Sequence, residues 1–444
     1  MALLDGSIQP GRRQFMLAIG AILVVGFALR MALRSLDGTK SFWQNSYYFF
    51  FELARSVATG RGYAFSDGSL TAFRVPFYPL FLAIITQGQK DFWSLLIAQS
   101  AVSSGTVACA GALAWHFFDR RTALVTAAMT AFYPYYAWHD TSLQETGLLT
   151  FLTALSVLLL FLARKRGSLL LAAATGLVLG VDVLTRSVVL PFACFAVFWL
   201  LLKGPAVQAL SRRIGMAGLC LLLLCASLVP WLVRNHNLTG SWTLSTELGA
   251  AVFYGNNPKT FSFYPEKSID LSAQASREAF TPAERAELQS FGNGEVATEQ
   301  WFLHRGLAYI KDDPTTFLLN AVRKNLAGFG VFPSPRHNWQ ADLVQGASYC
   351  FVLVMGLVGL WQTRRRWREI MPIYALFISF AGITGIIWAH SSHRAFLDVY
   401  LIVFAAHTLS RGFNLLRPVS PNRNDHEAPH SALSGEYNVT TTRK

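Results

Sequence analysis

Charged side chains are scarce in this chain of 444 residues: they occupy 14% of positions, whereas hydrophobic residues occupy 52%. A soluble domain carries about 25% charged residues, so the composition excludes an ordinary soluble enzyme and indicates a polytopic membrane protein. Cysteine is also rare, and all five cysteines lie in apolar runs without the spacing of a metal site or a disulfide framework. We therefore expect no metal centre or disulfide scaffold built on them.

Acidic residues are fewer than basic ones, 25 against 38, which gives a formal net charge of +13. The basic residues form short clusters between apolar stretches, as the positive-inside rule describes for membrane proteins. This pattern favours a membrane protein over a nucleic-acid-binding protein.

Long apolar runs make up most of the sequence between these basic clusters. A membrane-spanning helix needs about 20 such residues, and ten segments approach this length. They are 14–33, 92–117, 122–138, 145–163, 168–185, 187–203, 214–233, 343–362, 371–390 and 394–411. With Arg12 and Arg13 ahead of it, the first run is expected to stay as an uncleaved span.

The basic clusters fall on alternate connections if segment 76–88 does not cross the membrane. They are Arg12-Arg13, Asp119-Arg120-Arg121, Arg164-Lys165-Arg166, Lys203 with Arg212-Arg213, and Arg364 to Arg368. This predicts an all-α protein of about ten transmembrane helices with both termini in the cytoplasm. Residues 1–416 would form one membrane domain, and the polar segment 417–444 a disordered cytoplasmic tail.

The opposite, outer face receives loops 34–91 and 234–342, and a helix-like stretch around 282–311 suggests a small cap there. Ionisable residues concentrate on this face. Arg74 lies in Arg74-Val-Pro76-Phe-Tyr78-Pro79, Glu145 begins an apolar helix, and Arg186 stands between two spans. Arginines bind phosphate in a bidentate way and a carboxylate serves as a general base, so the set fits a phosphate-bearing lipid substrate.

Each candidate also has a structural explanation. Arg74, His390 and Arg394 lie where a long or polar side chain reaches the membrane interface. Glu145 complements a helix dipole and Asp140 suits a helix cap, while Arg186 fits an ordinary loop charge.

The ordered motifs resemble a known family. They are Gly60-Arg61-Gly62-Tyr63, Arg74-Val-Pro76-Phe-Tyr78-Pro79, Pro134 with Glu145, Leu184-Thr185-Arg186, Pro230-Trp231-Leu-Val-Arg234-Asn235, Gly255-Asn256-Asn257-Pro258, and His390 with Arg394 and Asp398. Over residues 10–415 the chain resembles the bacterial GT-C glycosyltransferases of the protein-mannosyltransferase-like family 39, which includes the aminoarabinose transferases that modify lipid A.

The resemblance implies a sugar donor on a polyprenyl phosphate, transfer with inversion, and an acidic residue of the first outer loop that activates the acceptor. It implies a multi-pass protein of the bacterial inner membrane with its active site facing the periplasm, and allows a divalent cation for which the sequence shows no ligand set. The candidate catalytic residues are Glu145, Glu52 and Asp140. The candidate substrate-binding residues are Arg74, Tyr78, Arg186, Arg234, Asn256, His390 and Arg394.

The first outer loop departs from the family. The usual acid precedes the position of Ala54 by about eight residues, where this chain reads Trp43-Gln44-Asn45-Ser46-Tyr47-Tyr48. Either one of Glu52, Asp67, Glu145 and Asp140 takes its role, or the protein no longer follows the usual mechanism. Among these acids we expect Glu145 to be the most sensitive, because the start of a membrane helix holds it rigidly. Ser392 also stands where a second arginine is common.

Three functions follow from these observations. The first is a glycosyltransferase that moves a sugar from a polyprenyl phosphate to a lipid, glycan or protein. The second is a lipid-linked-oligosaccharide polymerase or ligase that uses arginine and histidine without a carboxylate base, and the third is a non-catalytic assembly or transport protein. An outer-face cavity ringed by Arg74, Glu145, Arg186 and Arg394 would favour the transferase, whereas a site at the midplane would favour transport.

Overall fold

Helices form the framework of the protein. A computed structural model describes residues 11–44, 47–203, 209–264, 269–331, 339–388 and 390–415. Within these ranges there is no β-strand, and a single isolated antiparallel bridge joins Ala64 to Leu70. The predicted all-α fold is confirmed.

The long apolar runs form the bundle helices. These are α1 (Arg12–Gln44), α4 (Phe92–Phe117), α5 (Arg120–Phe132), α6 (Pro134–His139), α7 (Thr146–Arg166), α8 (Leu169–Thr185), α9 (Leu190–Leu201), α10 (Leu210–Thr239), α16 (Trp339–Gln362), α17 (Trp367–Ile386) and α18 (Ala395–Leu415). The two connecting helices are α2 (Phe49–Ala58) and α3 (Phe77–Thr86). The long loop contains α11 (Leu248–Gly255), α12 (Ile269–Glu278), α13 (Pro282–Ser290), α14 (Glu295–Asp312) and α15 (Pro314–Gly328).

Each of the ten predicted spans contains helix, but only some of these helices are long and apolar enough to cross a bilayer. In the described part of the chain, six helical stretches are long and apolar enough: α1, α4, α7, α10, α16 and Arg364–Ile386. Helices α8 and α9 are shorter, and Pro134 divides the predicted span 122–138 into α5 and α6. The count of ten therefore stays a prediction.

The basic clusters lie together at one end of the bundle. Arg366 donates to the carbonyl oxygen of Phe117 at 2.9 Å, and Arg212 donates to that of Gly167 at 2.7 Å. Arg164 reaches the carbonyl oxygen of Lys203 at 2.7 Å. Helix α3 has only ten residues and spans about 15 Å, too short to cross a hydrocarbon core of about 30 Å. The alternation of basic connections is thus preserved.

The first outer loop, predicted over residues 34–91, starts later in the structure. Helix α1 continues past residue 33 to Gln44 and breaks at Gly38, whose φ of 85° is a left-handed conformation that suits glycine. The first loop is therefore largely helical. The division into a domain 1–416 and a tail stays a prediction, since 417–444 lies outside the described residues.

Helices α11 to α15 form a cap on the opposite end of the bundle from the basic clusters. Phe253, Phe280, Trp301 and Phe302 make its hydrophobic core, and α13 and α14 coincide with the helix-like stretch expected around 282–311. Gly255 lets the end of α11 approach the backbone of Ile387, since a Cβ there would collide with the Ile387 carbonyl. The cap is thereby held against the segment that follows α17.

Candidate functional site

A polar pocket lies where helix ends meet the cap. We call it the ion pocket, and it holds about 560 Å³ of empty space, including its open mouth. Its walls come from the segment after α1, the start of α7, the end of α8, the start of α11 and the segment after α17. The lining residues are Tyr47, Phe49, Phe50, Arg74, Gln144, Glu145, Thr146, Arg186, Glu247, Asp270, Trp388, His390, Ser392 and His393.

Arg74 is held by an ion pair and by aromatic rings. It precedes Pro76, which caps α3 without a side-chain hydrogen bond and fixes the direction of the chain. Its Nη1 lies 2.7 Å from Oε2 of Glu247, and its guanidinium carbon lies 5.5 Å from the ring centre of Phe49. Its Nε is buried and has no hydrogen-bond partner among the described residues. The side chain still keeps 24% of its surface exposed and lines the ion pocket, so a ligand there can reach the guanidinium.

Glu145 and Arg186 form a second, looser pair. Glu145 is the N-cap residue of α7 but makes no side-chain capping bond, so its carboxylate is not used by its own helix. Arg186 ends α8 in an extended conformation, and its Nη1 lies 3.9 Å from Oε1 of Glu145. That distance is beyond a hydrogen bond, and the guanidinium can therefore turn to a ligand at little cost.

Two histidines complete the wall. His390 is buried and His393 partly buried, and their ring centres lie 5.3 Å apart. Burial lowers the pKa of His393 well below its usual value, and Arg186, His390 and Arg74 lower it further by electrostatic repulsion. His393 is therefore a neutral imidazole at neutral pH, which makes it a proton acceptor.

Glu247 is the principal residue that sequence reasoning missed. It precedes the apolar helix α11 as its N-cap residue without a capping bond, the same arrangement that singled out Glu145. Burial raises the pKa of Glu247 above its usual value, Arg74 and Arg186 oppose this, and Glu145 adds to it. An acid at the start of an apolar helix was thus the signal that could have revealed it within the long loop.

A second and larger space adjoins the ion pocket. We call it the cap cleft, and it holds about 1500 Å³ of empty space, including its open mouth. Arg74, Glu247, Asp270 and Trp388 line both spaces. Aromatic rings cover much of its wall: the ring centre of Tyr254 lies 5.7 Å from that of Phe302 and 6.1 Å from that of Trp388.

Several predicted residues lie outside both spaces. Asp140 is buried and forms an ion pair with Arg30 at 3.6 Å, and it also accepts a hydrogen bond from Ser103. Glu52 is half-buried on α2 and lines neither space. Asp67 is bonded to Ser69 in an exposed turn. The geometry thus brings Glu145 to the pocket, but not these three acids.

Arg394 and Arg234 bind within the protein instead. The guanidinium carbon of Arg394 lies 3.5 Å above the ring centre of Tyr349, and its Nε is 3.6 Å from Asp398. Arg234 donates to the carbonyl oxygens of Thr71 at 2.6 Å and Tyr63 at 3.1 Å. Of the four residues expected around one cavity, Arg74, Glu145 and Arg186 line the ion pocket. Arg394 does not.

Tyr78 and Asn256 do not line the ion pocket, but they contact residues and segments that do. Tyr78 is buried and packs on Phe50, which lines the ion pocket, with ring centres 5.1 Å apart. The amide of Asn256 donates to the carbonyl oxygen of Ile386 at 2.7 Å and accepts from Nζ of Lys324 at 3.0 Å. These contacts fix the end of α17, from which the segment bearing Trp388 and His390 departs.

Two further expectations concern the family acid and a metal. Asn45 and Ser46, which occupy the place of the first-loop acid, lie outside the described residues. Among the residues that are described, no group of three or more His, Cys, Asp or Glu side chains is arranged to hold a metal ion.

Comparison with known proteins agrees with this architecture. Residues 74–232 match the family model described as dolichyl-phosphate-mannose-protein mannosyltransferase. The fold is similar to the oligosaccharyltransferase AglB from Archaeoglobus fulgidus in complex with an inhibitory peptide and a dolichol-phosphate, with a TM-score of 0.51 and 14% identity over 89% of this chain and 50% of that chain. Its apo form gives a TM-score of 0.53 at 16% identity over 89% and 51%.

The chain shares its fold with these oligosaccharyltransferases. The family match over residues 74–232 confirms the resemblance noted in the sequence for that part of the chain, and the protein is a multi-pass membrane protein. ArnT from Cupriavidus metallidurans in the apo state aligns over 82% of this chain and 72% of that chain at 14% identity, but with a TM-score of 0.34, too low to show a common fold. The chain spans about half the length of the oligosaccharyltransferases it matches. No curated protein matches it.

Proposed function

We propose that this protein is a membrane glycosyltransferase that moves a sugar from a polyprenyl-phosphate donor to a lipid, glycan or protein acceptor. One observation carries the proposal: Arg74 and Arg186 converge with Glu145 and Glu247 in one pocket at the cap-side ends of the bundle helices. A bacterial inner-membrane location with the pocket facing the periplasm belongs to the same proposal.

The arginines suit the phosphate of the donor. A guanidinium presents paired donors that match phosphate oxygens. Arg186 is only loosely paired with Glu145, and the Arg74 side chain keeps 24% of its surface exposed and lines the pocket. Both can therefore donate to a phosphate that enters the ion pocket.

The reaction needs one displacement. An acceptor oxygen or nitrogen bonds to the anomeric carbon of the sugar while the bond from that carbon to the phosphate oxygen breaks. The electron pair leaves with the polyprenyl phosphate, whose charge the arginines stabilise. The acceptor's proton passes to a carboxylate that faces the pocket.

A polymerase or ligase without a carboxylate base is the second candidate, and it is favoured by His390 and His393, which line the same pocket as the arginines with ring centres 5.3 Å apart. Transport is less well supported, because the pocket lies at helix ends near the cap. A transport site would be expected near the bilayer midplane.

Binding of undecaprenyl phosphate, the leaving group of the proposed donors, tests the proposal. The full chain in lipid nanodiscs should bind this probe saturably by native mass spectrometry. Arg74→Lys keeps the charge but loses the planar fork, so its affinity should fall roughly tenfold or more, or about 1.4 kcal/mol. Arg186→Gln should weaken binding at least as much.

Arg61→Gln is the matched control, because Arg61 lies exposed in the same loop and its side chain donates to the hydroxyl of its neighbour Thr59, away from the ion pocket. Its affinity should equal that of the wild type. Equal affinity in all three variants, or no saturable binding by the wild type, would remove the phosphate site and with it the proposed donor.

A further inference from the structure

The ion pocket and the cap cleft meet at a wall that contains two carboxylates. Glu247 and Asp270 line both spaces, whereas Glu145 lines the ion pocket alone. A general base must lie within hydrogen-bond reach of the acceptor hydroxyl, whose oxygen in turn must reach the anomeric carbon of the donor sugar. With the donor phosphate in the ion pocket and the acceptor in the cap cleft, that hydroxyl lies where the two spaces meet, beside Glu247 and Asp270.

The two junction carboxylates differ in their surroundings. Asp270 lies at the start of α12 with an exposed side chain. Glu247 keeps a third of its side-chain surface open, and this surface lines the two spaces. Its other side is fixed by the 2.7 Å ion pair with Arg74. A base oriented by a third group is the arrangement found in activated catalytic pairs.

We propose that Glu247 is the general base of the transfer and that the cap cleft binds the acceptor, presenting a sugar hydroxyl to it. This inference rests on the proposed function and names its base and acceptor class. Glu247 would then take the role that the family gives to an acid of the first outer loop, although it lies about 200 positions further along the chain than Asn45 and Ser46.

The chemistry of the cap cleft supports a saccharide acceptor. Tyr254, Phe302 and Trp388 offer aromatic faces against which the apolar face of a sugar ring can pack. Glu299 and Asn293 add oxygen and amide groups for its hydroxyls. Arg277 lies 5.4 Å from the ring centre of Tyr254. Of the two arginines suited to phosphate, Arg186 lines the ion pocket alone and Arg74 lies at the junction of the two spaces.

The proton transfer balances within this geometry. The acceptor hydroxyl gives its proton to Oε of Glu247 as its oxygen bonds to the anomeric carbon, and the donor phosphate leaves into the ion pocket beside Arg186. Burial already raises the pKa of Glu247, and the incoming phosphate charge acts in the same direction, toward the range in which a carboxylate works as a base.

The test compares product formation with phosphate binding. Cells with and without the gene define the product by the mass and linkage of the envelope glycoconjugate that appears. Glu247→Gln, at matched membrane levels, should lower its rate of formation by about 100-fold or more. Its affinity for undecaprenyl phosphate should stay within about threefold of the wild type, because the substitution keeps the shape and removes a negative charge beside the phosphate. Glu287→Gln, on an exposed cap residue, is the matched control and should behave like the wild type.

The outcomes separate the two proposals. Full product formation by Glu247→Gln overturns the base assignment, while intact undecaprenyl phosphate binding would leave the proposed function standing. Loss of both product and binding in this variant also overturns the assignment, because it shows that Glu247 only holds Arg74. A product linked through nitrogen, or joined to something other than a sugar, overturns the acceptor class. Absence of both a gene-dependent product and wild-type binding refutes the proposed function and this inference together.

Discussion

Glu295 should control the geometry of the ion pocket without touching it. Its carboxylate accepts hydrogen bonds from the hydroxyl of Thr71, from the backbone N–H of Ala72 at 2.8 Å and from the hydroxyl of Thr246 at 3.0 Å. Thr246 precedes Glu247, and Ala72 lies two residues before Arg74. One side chain at the start of α14 therefore ties together the two segments that carry the pair.

The expected effect of Glu295→Ala can be worked out at one atom. A hydrogen bond to a charged group contributes about 1.5–3 kcal/mol, and the Ala72 N–H donates to Glu295. Its loss should speed hydrogen exchange of the Ala72 amide by roughly 10- to 150-fold. The neighbouring bonds from Thr246 N–H to the Ala72 carbonyl and from Arg234 to the Thr71 carbonyl remain, so the loop should loosen and not unfold.

Hydrogen–deuterium exchange of the full chain in nanodiscs, followed on peptides that cover 70–76, measures this directly. Glu287→Ala on the exposed face of α13 is the control and should leave these peptides unchanged. A loosened loop misplaces Arg74, and a displacement of about 1 Å costs on the order of 100-fold in rate, so product formation should fall as well. Unchanged exchange at Ala72 in Glu295→Ala would refute the clamp, and faster exchange with full activity would refute its importance for the pocket.

Two other predictions test the sequence-derived hypotheses. Asp140→Asn leaves buried Arg30 without its charge partner, so the melting temperature should fall while product formation per folded molecule is kept; a normal melting temperature with lost activity would instead make Asp140 catalytic. Reporter fusions at Arg166 and Arg365 should give cytoplasmic signals and one at Asn293 an outside signal; a cytoplasmic signal at Asn293 would invert the placement of the pocket.

The helices and the convergence of Arg74, Glu145 and Arg186 could be predicted, because topology alone determines them. Apolar length fixes the helices, and the alternation of basic connections places every second helix end on the same face. Three polar residues at such ends then lie on one face, and the ion pocket is where they meet. Of the four predicted spans beyond the six that qualify, 122–138 is broken at Pro134, α8 and α9 are shorter than a bilayer, and α18 does not meet the length and hydropathy requirements together.

Side-chain direction is what the sequence did not reveal. His390 and His393 line the pocket, whereas Arg394 turns into the bundle toward Asp398 and Tyr349. A short 3-10 turn over Ser391–Arg394 separates these directions, and nothing in the spacing of the residues predicts it. An arginine at a span end can equally serve a ligand, a carbonyl oxygen or a buried acid, and only the packing of neighbouring helices decides which.

The absence of an acid at Asn45 and Ser46 becomes understandable in the same terms. The proposed chemistry requires a carboxylate at the junction of donor and acceptor spaces, and it sets no requirement on the loop that supplies it. In this protein α11 begins at that junction, so its N-cap residue Glu247 occupies the position, oriented by Arg74 and held by the contact of Gly255 with Ile387 at the other end of the helix. Glu145 begins α7 in an equivalent way but lines only the ion pocket, beside Arg186. Position relative to the two spaces, more than position in the chain, therefore distinguishes the two glutamates.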